Sequence, residues 1–113
     1  MAPKNNPLNL NPLQLKTLTL MQELARSPGH AEPLGDGSVK VHGLPHPHGD
    51  HFHVGAAVVL ARDATGLGNE AAWTALERKG LIQSHFPEAV TLTPDGLAYD
   101  TGLSDQILHR GHH

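Results

Sequence analysis

Apolar positions along the chain recur first with helical spacing. Leu13, Thr17, Leu20, Met21 and Leu24 make a stripe that Leu18 and Ala25 widen. Asn11 suits the N-cap and Pro12 the first helical position, so a helix is predicted from there to about Arg26, where Ser27-Pro28-Gly29 breaks it. Residues 27–38 are predicted as a loop. Val39–His42 and His51–Val54 alternate like strands, and Pro45, Pro47 and Gly49 keep the segment between them irregular. The simplest expectation is that these two strands pair across that segment.

AAVVLARDATGL, after Gly55, predicts a helix of about nine to eleven residues ending at Gly66-Leu67-Gly68. Asn69 then caps a second helix in NEAAWTALERKG. Glu70 stands in its first turn and Arg78 and Lys79 in its last, both favourable to the helix dipole. Ala72, Trp73 and Leu76 face inward, and Gly80 ends the helix. Residues 81–84 and 89–92 predict a hairpin around HFPE, and Thr93-Pro94-Asp95-Gly96 opens a short last helix through Tyr99. The expected organisation is a flexible N-terminus over 1–10, one domain over 11–101 and a tail of uncertain order over 102–113.

Composition narrows the chemistry. A chain of 113 residues fits one small domain. With 38% apolar residues and only Phe52, Trp73, Phe86 and Tyr99 aromatic, the core must be mostly Leu, Val and Ala. The net charge of -3, with eight Lys and Arg, argues against strongly electrostatic nucleic-acid binding. No cysteine is present, so disulfides and thiolate zinc sites are excluded. No apolar signal core opens the chain and no apolar run is long enough for a membrane span; a cytoplasmic protein is expected.

The segment LARDATGLGNEAAWTALERKGLI (60–82), followed by AVTLTPDGLA (89–98), resembles MarR-like bacterial regulators. There a helix and small turn precede a recognition helix closing in "L-x-x-K/R-G-L-I", and a wing ends in "L-T-P-x-G". With the first helix, the resemblance covers about two thirds of the chain. It implies an α+β winged helix-turn-helix, with a three-helix core, a small antiparallel sheet and a wing hairpin. It also implies a homodimeric transcriptional regulator binding double-stranded DNA, with Asn69, Thr74, Arg78 and Lys79 as the DNA-facing residues. From Val58 to Ile82, however, Arg62, Arg78 and Lys79 are balanced by Asp63, Glu70 and Glu77. The wing turn carries His85 and Glu88 and no Lys or Arg. A winged-helix interaction or dimerisation module without DNA binding therefore stays open as the alternative.

Five of the ten histidines fall within 42–53, in VHGLPHPHGDHFHV. His46, His48, His51 and His53, with Asp50 among them, are candidate metal ligands, since neutral imidazole is the commonest protein ligand. Imidazoles suit a transition metal, zinc or nickel being the expected cofactor. The other reading is a polar loop that binds metal only adventitiously. HPHGDH also matches the ligand string of metallo-β-lactamase-type hydrolases, in which residues like His46 and His48 hold one metal and those like Asp50 and His51 a second. That fold is a large αββα sandwich for which this chain is too short, so an enzyme is not expected. His109, His112 and His113 in the tail are a further weak chelator.

Overall fold

The computed structural model describes residues 6–45 and 49–110. Among them the chain is a mixed α+β fold with four helices and two small antiparallel sheets.

Helix α1 (Pro12–Ala25) begins as its sequence demands. The Gln14 backbone N–H donates to Asn11 Oδ1 at 2.8 Å, and the Asn11 N–H donates to Gln14 Oε1 at 3.0 Å, closing a capping box. Its burial is broader than one stripe. Leu15, Leu18, Leu20, Met21 and Leu24 are buried, and so are Thr17, Thr19, Gln22 and Glu23. A helix covered on nearly every side is a central one, and α1 packs against both neighbouring helices, the larger sheet and the turn at 65–68. Its buried polar groups are satisfied: the Thr17 and Thr19 hydroxyls donate to the Leu13 and Leu15 carbonyls, both at 2.7 Å. Gln22 Nε2 donates to the Gly96 and Tyr99 carbonyls at 2.9 and 2.8 Å.

The larger sheet has the order β1-β2-β6-β5, from β1 (Ala31–Pro33), β2 (Val39–His42), β5 (Ile82–His85) and β6 (Ala89–Leu92). Val41 pairs with Val90, and both are fully buried beneath α1. The β5–β6 hairpin forms where expected, with β5 one residue later than residues 81–84. Strand β1 lies inside the segment expected to be loop; its three residues, one a proline, carry no readable alternation. The turn after it is held by the Ser38 N–H donating to Asp36 Oδ1 at 2.9 Å.

Two expectations are corrected between His51 and Gly68. Strand β3 (His51–Val54) does not pair with β2. It pairs with β4 (Ala57–Leu60), and β4 pairs with β7 (His109–Arg110) to make the second sheet. The helix expected in AAVVLARDATGL is instead β4 followed by two 3-10 turns, Ala61–Asp63 and Thr65–Gly68. Gly55, at φ 60°, supplies the glycine-first two-residue turn that right-twisted hairpins favour. Val54, Ala57 and Val59 then bury on one face, with Val58 and Leu60 half-covered on the other. The β-branched pair Val58-Val59 fits that pleated surface.

Helix α2 (Glu70–Arg78) and helix α3 (Pro94–Ala98) form where expected. Gly96 is needed for close approach: a Cβ there would lie 1.9 Å from the Leu81 carbonyl oxygen. Both chain ends join the fold within the described residues. Asn6–Leu10, grouped with the flexible terminus on sequence, folds back so that the Leu8 N–H donates to the Tyr99 hydroxyl at 3.2 Å and Leu10 is buried. Helix α4 (Ser104–Ile107) buries Ile107 and leads into β7.

Candidate interaction surface

Helix α2 is fixed from inside and open outside. Asn69 Oδ1 caps it by accepting the Ala71 N–H at 3.0 Å. Trp73 is fully buried, donates Nε1–H to the Gly66 carbonyl at 3.0 Å, and meets Phe86 edge to face with ring centres 5.0 Å apart. Ala72 and Leu76 complete the inner face. Glu70, Glu77 and Arg78 are exposed and Thr74 is half-buried. At about 100° per residue these four share an arc of roughly 100° on the outer surface.

The residues expected to face DNA are not equivalent. Arg78 and Thr74 lie on that outer arc. Asn69 Oδ1 serves the helix cap. Lys79 lies about 100° further round the axis than Arg78, and its Nζ donates to the Leu8 carbonyl at 2.8 Å, bracing the N-terminal segment. Nothing in the spacing of NEAAWTALERKG could reveal that tie, because its partner is 71 residues away. Glu77 Oε2 accepts the Ser84 N–H of the hairpin edge at 3.1 Å. Nearby, Lys16 and Asp63 pair at 2.9 Å. The hairpin turn, with its cis Phe86-Pro87 bond, exposes His85 and Glu88.

Beside the start of α2 lies an open groove of about 510 Å³ lined by Leu44, Pro45, Phe52, Leu67, Pro87 and Glu88, with Gly43 and Gly68. Sequence reading missed it. Phe52 was legible as the inward partner of His51 and His53 in strand alternation, but the other walls come from three separate segments.

The expected metal ligands are only partly within view. His46 and His48 lie outside the described residues. His51 and His53 share the outer face of β3, with ring centres 5.0 Å apart and planes at 80°. Asp50 is exposed, its Oδ1 3.6 Å from His51 Nδ1. Among the described residues no three His, Asp or Glu side chains form a group able to hold a metal. Nor is any helix among them long and apolar enough to cross a membrane. No family model, curated protein or solved structure matches the chain.

Proposed function

We propose that the chain is a winged-helix dimerisation module that pairs with a second copy of itself through α2. Three features support the winged-helix reading. A strand between α1 and α2, β2, joins the hairpin in the order β2-β6-β5, α1 packs behind, and α2 precedes the hairpin with one face outward. In this reading the 3-10 turn at Thr65–Gly68 stands where a helix-turn-helix has its first helix.

The observation that carries the dimer is the arrangement of charge on α2. Its outer arc starts at Glu70 and ends at Arg78, roughly 12 Å apart along the axis, with Thr74 midway. An antiparallel pairing with a second α2 about a two-fold axis sets each Glu70 against the other copy's Arg78 and the small Thr74 residues at the crossing. A patch that complements itself in this way is what an isologous interface requires. The same face is poorly suited to a polyanion, since Glu70 and Glu77 oppose Arg78, and Lys79 is engaged elsewhere. Sedimentation velocity tests the reading: wild type is expected to sediment as a reversible dimer and Arg78→Glu as a monomer.

DNA binding by a regulator is the second reading, favoured by the exposed Arg78 and the half-buried Thr74 on the outer arc of the helix a winged-helix protein offers to the major groove. Fluorescence anisotropy with a random-sequence duplex at low salt separates the two. Saturable binding that weakens with salt and with Arg78→Ala supports DNA recognition.

A further inference from the structure

We infer that the open cleft between the C-terminal half of α1 and the chain after α3 binds a small zwitterion, a free α-amino acid with a short side chain. The cleft has a volume of about 210 Å³, and no residue of α2 lines it. The inference is therefore independent of the α2 pairing. One wall comes from α1, where Thr19, Gln22 and Arg26 follow at steps of three and four and share a helix face. The facing wall includes Asp100 and Thr101. The buried Thr19 and Thr101 hydroxyls meet at 2.6 Å and tie the two walls together.

Gln22 carries the argument. Its residue is only 7% exposed. Both amide hydrogens are used, on the Gly96 and Tyr99 carbonyls at 2.9 and 2.8 Å. Two carbonyl neighbours fix which end of the amide is nitrogen, so the oxygen faces the other way. Gln22 Oε1 accepts no hydrogen bond from the described residues, yet none of their fully buried side-chain polar atoms lacks a partner. The oxygen therefore reaches the surface, and the surface that Gln22 lines is this cleft. It is a fixed acceptor without a donor.

Opposite charges flank it. Asp100 is exposed, and its Oδ1 accepts the Gly102 N–H at 3.0 Å, which leaves the other carboxylate oxygen for a ligand. Arg26 stands one helical turn beyond Gln22, roughly 6 Å further along the axis. Its side chain is 62% exposed and uses one N–H on Glu23 Oε1, at 3.4 Å; a guanidinium has more to offer. Arg26 and Asp100 form no ion pair with each other. A fitting ligand gives N–H donors to Gln22 Oε1 and Asp100 and oxygen acceptors to Arg26. An α-ammonium and its own carboxylate do both, through charge-assisted hydrogen bonds. The small volume restricts the side chain to a short one.

The test is a titration of isotopically labelled full-length protein with glycine, L-alanine, L-serine and L-asparagine, each into the millimolar range, followed by amide NMR. At least one should give saturable shifts centred on Thr101, Gly102 and the Gln22 side-chain amide. Acetate lacks the ammonium and ethanolamine lacks the carboxylate. Each should bind at least about tenfold more weakly, because it loses a charged hydrogen-bond partner. Arg26→Gln and Asp100→Asn change exposed side chains and should each weaken the amino acid by a similar factor. Arg26→Gln should also abolish the preference over ethanolamine. No saturable shift with any of the four amino acids, or shifts centred elsewhere, would overturn the inference. So would acetate or ethanolamine binding as tightly as the amino acid, which would mean a lone ion at Arg26 or Asp100, or unchanged affinity in both variants. The wild-type shift map and ligand comparison decide the matter even if a variant fails to fold.

Discussion

Replacing Gly66 by alanine tests how tightly α1 is docked on the turn before α2. The new Cβ would lie 1.7 Å from Thr17 Oγ1, 3.0 Å from Thr17 Cβ and 3.4 Å from Leu13 Cδ1. Thr17 is only 1% exposed and its hydroxyl is tied to the Leu13 carbonyl, so it has nowhere to withdraw. Overpacking of this kind costs about 1–3 kcal/mol, and breaking the Thr17 bond about 1 kcal/mol more. Because φ at Gly66 is not positive, alanine recovers about 0.4–1 kcal/mol through the unfolded state. The net expectation is a destabilisation of about 2–3 kcal/mol, read from urea unfolding followed by the fluorescence of Trp73, the single tryptophan. A double-mutant cycle sharpens the test. Thr17→Ala removes the obstructing hydroxyl, so the double variant should be more stable than additivity predicts by at least about 1 kcal/mol. A Gly66→Ala protein within about 0.5 kcal/mol of wild type, or an additive cycle, would refute the close approach.

Three further outcomes follow from the same contacts. Trp73→Phe loses the Nε1–H bond to Gly66 and part of the edge-to-face contact with Phe86, and should destabilise by about 2–3 kcal/mol in thermal unfolding followed by circular dichroism. Asn11→Ala dissolves the capping box and should lower stability by about 1 kcal/mol, with faster amide exchange confined to the first turn of α1. The Ser38 N–H holds the Asp36 carboxyl below its ordinary value. Any stability this turn contributes is therefore present above the unfolded aspartate value and lost as pH falls through the folded one. A carboxyl-carbon NMR titration should place Asp36 below an ordinary aspartate; an ordinary midpoint would contradict the bond.

The legible parts of the chain carried their own local signals. Asn11-Pro12, Asn69-Glu70 and Thr93-Pro94 mark helix starts through side-chain caps that involve only neighbouring residues, and α1, α2 and α3 begin there. The segment from Ala57 was not decidable in that way. A short apolar run reads equally as helix or buried strand, and its strand conformation is completed by β7, which pairs Val58 with a residue 51 positions later. The β2–β3 pairing failed for a related reason: both segments alternate, but alternation does not name the partner. Ala89–Leu92 fills the edge of β2 instead. At the site, alternation placed His51 and His53 together, and the helical wheel placed Thr74 and Arg78. The diversion of Lys79 to the Leu8 carbonyl depends on long-range packing with no local trace.

The self-pairing of α2 is tested most directly by a charge swap in sedimentation velocity. Wild type should form a dimer, Glu70→Arg and Arg78→Glu should each be monomeric, and the double variant Glu70→Arg/Arg78→Glu should dimerise again, because each swapped pair regains its opposite charge. A monomeric wild type, or a dimer that survives either single reversal, would contradict it.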